Sequence, residues 1–273
     1  MTDRYAVIGN PVAHSRSPDI HAAFARATAQ DIEYLRLLAP LQGFAAAVES
    51  FRGADGRGAS ITVPFKEEAF RLSDALSDRA RTAGAVNTLR FDPGRIYGDN
   101  TDGIGLVRDL TQNLGIAVAG RRVLLVGAGG AARGALGPLL DQNPASLVIA
   151  NRTEMRAAEL AVHFASAAAG ALAALSFAAL SGRQFDIVIN ATAASLAGEA
   201  PPLPGGLYAA AALAYDMMYA KHDTPFMALA RAQGAQVADG LGMLVEQAAE
   251  SFFVWRGVRP ATGTVLEALR RAC

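Results

Sequence analysis

Residues 122–156 read RVLLVGAGGAARGALGPLLDQNPASLVIANRTEMR, in which two apolar runs flank a glycine-rich loop and a helical segment. The runs at 123–126 and 147–150 have the composition of buried parallel strands. Gly127, Gly129 and Ala132 fill the three small positions of the pattern G-x-G-x-x-G/A. Small residues there let the backbone approach a pyrophosphate at the positive end of the next helix. The stretch therefore predicts a Rossmann-like βαβ unit that binds a dinucleotide.

The residues after the second strand indicate which dinucleotide this is. A unit specific for NAD carries an acidic residue about 20 positions after the glycines, where it binds the ribose 2′-hydroxyl. Here the strand ends in Asn151, Arg152 and Thr153, and Arg156 lies one helical turn later. Two guanidinium groups suit a 2′-phosphate, so we predict NADP as the cofactor. Two alternatives stay open. The glycine loop could be a turn that binds nothing, and Arg152 could be an exposed surface arginine with no ligand.

Composition excludes several other classes of protein. The chain has 273 residues, of which 52% are hydrophobic and 18% charged, which is typical of a globular protein with room for two domains. Its 25 basic and 25 acidic side chains balance and form no basic stripe, so we expect no nucleic-acid partner. The four histidines are scattered and the one cysteine is Cys273, so we predict no metal site, no internal disulfide and a reducing cytoplasm.

Two segments bear on membranes. The first five residues contain no apolar core of a signal peptide. Residues 160–180 carry no formal charge, but ten of them are alanine, and turn residues near Gly170 and Ser176 interrupt the run. We predict a helix, a short strand and a second helix there, and no membrane span.

Strand and helix patterns alternate along the whole chain, which predicts an α/β fold with parallel sheets covered by helices. The dinucleotide unit begins only at Arg121, so residues 1–101 are predicted to form a separate α/β substrate domain. Residues 102–240 are the predicted dinucleotide-binding domain. Helices at 243–256 and 262–271 are expected to pack back on the first domain, so that 241–273 belongs to it. The other predicted elements are strands at 4–9, 32–38, 58–63, 85–91, 95–98, 185–190, 212–215 and 236–238, and helices at 18–28, 41–51, 66–72, 78–82 and 101–114.

Two serines precede the first predicted helix. Ser17 followed by Pro18 is typical of a helix N-cap with proline in the first turn. That interpretation leaves Ser15 unexplained. A pair of hydroxyls beside a helix N-terminus would also suit a carboxylate ligand.

Lys66 and Asp102 are the candidate acid–base residues. Lys66 begins a predicted helix, where the dipole disfavours its positive charge, and a lysine in such a place is a candidate for proton transfer. Asp102 lies at another strand-to-helix junction, where it could simply cap the helix. Lys66 could equally be an ordinary solvated lysine. Whether the two side chains meet is left open by their positions in the sequence.

Eight segments together resemble one known family. They are GNPVAHSRSP, TVPFK, AGAVNTL, GDNTDGIG, VGAGGAARG, ANRT, DMMYAKHDTPF and DGLGMLVEQAA, in family order over nearly the whole chain. On these segments the chain is similar to the bacterial shikimate dehydrogenases of the NADP-dependent biosynthetic type. The resemblance implies reversible reduction of 3-dehydroshikimate to shikimate by NADPH, with no metal. One departure is Ser60, which stands where the family usually has asparagine.

The resemblance also implies roles for individual residues. Lys66 would transfer the proton beside Asp102, and Ser15 and Ser17 would bind the shikimate carboxylate. The full substrate set is Ser15, Ser17, Thr62, Lys66, Asn87, Asp102, Tyr219 and Gln247. The cofactor set is Gly127, Ala128, Gly129, Gly130 and Ala131 for the pyrophosphate, Asn151, Arg152, Thr153 and Arg156 for the 2′-phosphate, Met217 and Gly240 for the nicotinamide, and Asp78 at the periphery. On their own, Asn87 could serve a turn, Gln247 could be exposed on a helix and Tyr219 could be an ordinary half-buried aromatic.

Two other functions stay open. One is a quinate/shikimate dehydrogenase with relaxed substrate or NAD use. The other is a non-catalytic NADP-binding regulatory protein on the same fold. In each case we expect a small-molecule ligand and a monomer or homodimer.

Overall fold

The computed structural model describes residues 2–168 and 170–272. Cys273, on which the expectation about disulfides depends, lies outside these residues. The chain divides into two compact α/β units. The first comprises residues up to Gly105 together with Leu244–Ala272, and the second comprises Leu106–Met243.

The first unit contains a six-stranded mixed sheet with the strand order β2-β1-β3-β5-β6-β4. Its strands are β1 (Asp3–Gly9), β2 (Ile32–Leu38), β3 (Gly56–Ile61), β4 (Ala75–Leu76), β5 (Thr88–Asp92) and β6 (Arg95–Asp99). Its helices are α1 (Ser17–Ala27), α2 (Phe44–Gly53), α3 (Lys66–Leu72) and α4 (Asp78–Ala83). β1 is parallel to β2 and β3, whereas β5 is antiparallel to both β3 and β6. As a result, β1, β3 and β6 all point their carboxyl ends to the same edge.

The second unit contains a six-stranded, all-parallel sheet with the order β12-β11-β10-β7-β8-β9. Its strands are β7 (Arg122–Val126), β8 (Ser146–Ala150), β9 (Leu172–Leu175), β10 (Phe185–Asn190), β11 (Tyr208–Asp216) and β12 (Gln236–Asp239). Its helices are α6 (Gly130–Leu140), α7 (Glu154–His163) and α8 (Pro225–Ala232). The order reverses between β7 and β10, which is the point where doubly wound sheets bind ligands. The predicted α/β fold with a Rossmann-like unit is confirmed.

Two helices carry the chain from one unit to the other, α5 (Asp102–Arg108) and α9 (Leu241–Arg256). The last helix, α10, is Gly263–Ala272. Trp255 on α9 stacks on Tyr5 with 4.7 Å between ring centroids, and its indole Nε1 donates to the Leu89 carbonyl at 2.9 Å. The expectation that the C-terminal helices pack back on the first unit is therefore confirmed.

Several predicted elements differ from the observed ones, among them two helices and a strand. The helix expected from residue 41 begins at Phe44, and Leu41 is exposed in the preceding turn. The strand expected at 58–63 ends at Ile61, three residues before Pro64, which has no amide to donate to a ladder. The helix expected at 101–114 changes after Arg108 to a π-helical turn, Asp109–Asn113.

No helix among the described residues is long and apolar enough to cross a membrane.

An aromatic cluster in the first unit encloses His21. The side chain is completely buried and stacks on Tyr34 with 4.2 Å between ring centroids. Phe24, Phe252 and Trp255 surround it at 5.2–6.1 Å. Neither ring nitrogen has a hydrogen-bond partner among the described residues. Burial lowers the pKa of His21 from its usual 6.5 to about 3.

We expect His21 to make stability fall as the pH drops below 6.5. The unfolded chain takes up a proton at this imidazole near pH 6.5, whereas the folded protein does not until about pH 3. This linkage lowers the free energy of unfolding by about 2 kcal/mol between about pH 7 and about pH 5. Urea unfolding should show that, between these two pH values, the free energy of unfolding falls less in His21→Phe than in wild type, by about 2 kcal/mol. The exposed-histidine control His222→Phe should follow wild type, and equal losses in all three proteins would contradict the prediction.

Candidate functional site

Lys66 and Asp102 meet in the first unit. Each residue follows a strand, Lys66 after β3 and Asp102 after β6, and these strands end at the same edge because both are antiparallel to β5. The Lys66 Nζ donates to Asp102 Oδ2 at 2.6 Å. The exposed fractions of the two side chains are 17% and 2%. Lys66 is therefore not an ordinary solvated lysine. Its amine and the Asp102 carboxylate form a partly buried pair.

Asn87 binds the other oxygen of the same carboxylate. It precedes β5, whose amino end lies at the edge where β3 and β6 end. Its Nδ2 donates to Asp102 Oδ1 at 2.8 Å and to Thr101 Oγ1 at 2.9 Å, and its Oδ1 accepts from the Thr101 amide at 2.8 Å. The amide of Asn87 is thus a hydrogen-bonding centre of the site as well as part of a turn. Asp102 begins its helix, and both of its oxygens accept from side chains.

Gln247 and Ser251 extend this network from α9. Gln247 is half-buried and its Oε1 accepts from Asn87 Nδ2 at 3.2 Å, so the alternative of an exposed glutamine is wrong, while its contact with a substrate stays a prediction. The Ser251 hydroxyl lies 2.7 Å from Thr88 Oγ1 and 3.1 Å from Thr101 Oγ1. The sequence analysis missed Ser251, although it lies four residues after Gln247 and so on the same helix face.

Ser15 and Ser17 lie side by side at the same edge, after β1. The Ser15 hydroxyl donates to Ser17 Oγ at 3.1 Å, and Ser15 Oγ accepts from the Ser17 amide at 3.3 Å. The N-cap of α1 is Arg16 and Ser17 is the first helical residue, so the capping interpretation of Ser17 is wrong. Arg36 donates twice to the Ser15 carbonyl, at 2.7 and 2.9 Å, which fixes the loop that presents both hydroxyls.

The side chains of Thr62 and Ser60 have different hydrogen-bonding environments. Thr62 is half-buried just beyond β3, with its amide bonded to the Ile8 carbonyl at 3.0 Å. Ser60 lies within β3, and its hydroxyl accepts from the Tyr34 hydroxyl at 2.7 Å. The residue at the usual asparagine position is therefore already engaged by a neighbouring side chain.

The glycine loop of the second unit has the geometry that its sequence predicts. Gly127 has φ = +118°, and a Cβ there would lie 3.1 Å from the backbone carbonyl of Ala191, which follows β10. A larger residue would be strained by both the conformation and the contact. The N-cap of α6 is Gly129, and no side chain caps this helix. Ala128 is buried and Ala131 half-buried, while Gly130 opens the helix. The first-turn amides are thus suited to an anion.

The residues predicted at the 2′-phosphate follow β8, which pairs with β7 so that Ala150 lies opposite Val126. Arg152 and Arg156 are exposed. Asn151 donates from Nδ2 to the Thr153 carbonyl at 3.0 Å, and Thr153 is the N-cap of α7. The fold therefore brings both guanidinium-bearing residues to the edge that carries the glycine loop. Their contact with a phosphate stays a prediction.

The remaining predicted site residues, three for the cofactor and one for the substrate, lie in two places. In the second unit, a Cβ on Gly240 would collide with the backbone carbonyl of Met217, so this glycine is required for their close packing. Tyr219 is half-buried in the loop after β11. In the first unit, Asp78 begins α4, its side chain is 97% exposed, and it pairs with Arg81 at 2.6 Å. Within residues 2–168 and 170–272, no group of three or more His, Cys, Asp or Glu side chains could hold a metal ion.

Three family models match successive parts of the chain. The shikimate dehydrogenase substrate binding domain matches residues 7–89. The shikimate / quinate 5-dehydrogenase model matches residues 109–197, and the shikimate 5′-dehydrogenase C-terminal domain matches residues 240–270. The first and third matches fall almost entirely in the first unit, and the second falls in the second unit.

Relatives and solved structures agree with these models. The chain is 66% identical to the shikimate dehydrogenase (NADP(+)) of Aromatoleum aromaticum, over 98% of this chain and 97% of that one. It is 60% identical to the enzyme of the same name from Dechloromonas aromatica, over 99% and 98%. The shikimate 5-dehydrogenase of Thermus thermophilus, solved in complex with NADP(H) and shikimate, superposes with a TM-score of 0.88 at 34% identity, over 100% of each chain. An Ael1 enzyme from Pseudomonas putida superposes with a TM-score of 0.90 at 50% identity, over 98% of each chain. The chain therefore belongs to the shikimate dehydrogenase family.

Proposed function

We propose that this protein catalyses the reversible, NADPH-dependent reduction of 3-dehydroshikimate to shikimate. The observation that carries the proposal is the 2.6 Å contact between Lys66 Nζ and Asp102 Oδ2. It lies in a chain that is 66% identical to an enzyme named for this activity. A lysine amine held against a buried carboxylate favours this reaction over the non-catalytic alternative.

The first unit is proposed to bind the substrate. The paired hydroxyls of Ser15 and Ser17 suit its carboxylate, because both are held at one helix start. The ring hydroxyls are proposed to bind to uncharged polar groups of this unit and to its acid–base pair, namely Thr62, Lys66, Asn87, Asp102 and Gln247. Tyr219, which belongs to the second unit, is proposed as a further substrate residue on the family resemblance. Such a site rejects an analogue that lacks a hydroxyl, because its buried partners are left without a hydrogen bond.

The second unit is proposed to hold NADP(H), which when bound supplies a hydride to the ring carbonyl carbon. The uncapped first turn of α6 and the tight turn at Gly127 fit a pyrophosphate. Asn151, Arg152, Thr153 and Arg156 are proposed for the 2′-phosphate, and Met217 and Gly240 for the nicotinamide. Asp78 is proposed as a peripheral residue of the cofactor site.

Lys66 is the proposed proton donor in the direction of reduction. When the carbonyl carbon gains a hydride, the C=O π pair moves to the oxygen, which then needs a proton, and the ammonium of Lys66 can give it. Asp102 accepts a hydrogen bond from that group and fixes its position, while Asn87 fixes Asp102 from the other side. In the oxidation direction the neutral amine takes the proton from the shikimate hydroxyl.

The decisive experiment is to follow NADPH absorbance with purified protein and shikimate, in parallel with quinate and with NAD. We expect rapid NADPH formation with shikimate and NADP, and much slower turnover in the other combinations. Comparable rates with quinate or NAD would favour the broader quinate/shikimate activity. No NADPH formation with shikimate would favour a regulatory protein. We further propose a cytoplasmic monomer or homodimer, in keeping with the single cysteine.

Replacing Arg152 by alanine tests the proposed 2′-phosphate site. We expect the KM for NADP to rise about tenfold or more, because a hydrogen bond to a charged group is lost, while the KM for NAD changes little. The matched control is Arg121→Ala, which removes an exposed arginine that precedes β7 at the opposite end of the strand. An equal loss with both dinucleotides would contradict a 2′-phosphate role.

A further inference from the structure

Arg133 has an unusual environment for an arginine of this protein. It lies in the second turn of α6 and is half-buried. Its Nε is completely buried and has no hydrogen-bond partner among the described residues. Other partly buried arginines pair with carboxylates, as Arg79 does with Asp99 at 2.7 Å and Arg90 with Asp92 at 2.9 Å. A buried donor without a partner is destabilising, so its retention needs a reason.

The position of Arg133 in the helix shows where its side chain leads. Side chains in a helix lean toward the N-terminus and cover the turn before their own Cα. The Arg133 amide bonds to the Gly129 carbonyl at 2.9 Å, so that turn begins at the N-cap. Residues 129–132 read GGAA and have no side-chain atoms beyond Cβ. A Cβ on Gly129 would meet nothing within 4 Å. The usual lean of helical side chains would carry the guanidinium toward a turn with no side chains to obstruct it.

The hydrogen-bond donors around this turn favour an anionic ligand. No side chain caps α6, so its first amides are available to acceptor oxygens. The five N–H donors of a guanidinium match the geometry of phosphate oxygens. Arg152 and Arg156 follow the neighbouring strand β8, whereas Arg133 belongs to the helix that the glycine loop begins. A phosphate on the amides of the first turn would lie nearest to Arg133.

We infer that Arg133 is a further cofactor-binding residue, whose guanidinium donates to the diphosphate of NADP(H). This inference rests on the proposed function, because that function identifies the ligand of the second unit as a dinucleotide. It adds a charged side chain to a subsite that the sequence analysis assigned to backbone amides of residues 127–131. Unlike Arg152, this residue binds a group that NADP and NAD share.

Direct binding measurements test the inference without requiring turnover. Calorimetric titration of NADPH, NADH and ADP-ribose into wild type, Arg133→Gln and Arg152→Gln separates the two phosphate subsites. ADP-ribose carries the diphosphate but neither nicotinamide nor a 2′-phosphate. We expect Arg133→Gln to weaken all three ligands by a similar factor of about tenfold or more. We expect Arg152→Gln to weaken NADPH far more than the other two.

Thermal unfolding of the unliganded variants is the control for folding. Arg133→Gln should unfold no earlier than wild type, because the substitution removes a buried N–H donor that has no partner. Affinity unchanged by Arg133→Gln, or reduced for NADPH alone, would overturn the assignment to the diphosphate. A wild-type protein that binds NADPH but does not oxidise shikimate would overturn the proposed reaction and leave this inference standing. A wild type that binds no dinucleotide would overturn both.

Discussion

Replacing Lys66 by alanine is expected to lower kcat by about 10²-fold or more. General acid–base catalysis contributes about 10²–10⁴-fold, and the variant has no other amine at the proposed proton-transfer position. Binding of shikimate should change little, because Ser15, Ser17 and the remaining hydrogen-bonding groups are kept. Steady-state kinetics in both directions, together with a direct measurement of shikimate affinity, check the two parts of this result.

The chain contains a matched control for this experiment. Lys221 is the other lysine of the sequence, and it is exposed. Lys221→Ala should leave kcat within about twofold of wild type, as is usual for an exposed residue. Added small primary amines should partly restore turnover to Lys66→Ala, because they can supply the missing proton donor. Undiminished turnover in Lys66→Ala would remove this residue from the mechanism.

The parts of the fold that the sequence predicts are those with local signals. The apolar runs at 123–126 and 147–150 and the glycines between them specify a strand, a turn and a helix without help from distant residues. The π-helical turn at Asp109 has a distant cause. The Asp109 carboxylate is completely buried and accepts from the Tyr215 hydroxyl at 2.6 Å. Helical periodicity contains no information about a partner on β11.

For the residues of the site, too, local signals were predictable from the sequence and distant contacts were not. Lys66 and Asp102 attract notice as charged residues at helix starts, but their contact depends on β5, which runs antiparallel to the two strands that precede them. Gln247 joins them only because α9 returns to the first unit, where Asn87 reaches its Oε1. Sheet order and long-range packing cannot be deduced from local sequence patterns. Residue type alone therefore identified the candidates, and the fold was needed to show which of them meet.

Replacing Asp102 by asparagine is expected to damage both activity and stability. Two donors bind this carboxylate, Lys66 Nζ on Oδ2 at 2.6 Å and Asn87 Nδ2 on Oδ1 at 2.8 Å. An asparagine has one acceptor oxygen, so one donor must oppose its amide nitrogen whichever way the group is turned. We expect kcat to fall by about 10²-fold or more. The free energy of unfolding should fall by about 1–3 kcal/mol, the usual effect of leaving a buried donor unpaired.

Asp186→Asn provides the comparison for stability, because Asp186 pairs with the exposed Arg122 at 2.8 Å and such surface pairs contribute less than about 1 kcal/mol. The double variant Lys66→Ala/Asp102→Asn then tests whether the two residues act as one unit. If Asp102 works through the lysine, the double variant should be little slower than Lys66→Ala alone, since groups that act together are strongly non-additive. Losses that multiply would show that Asp102 has a separate role in turnover. Such a role would be direct contact with the reacting hydroxyl, which the proposed substrate site includes, and holding Lys66 in place would then be only part of what Asp102 does.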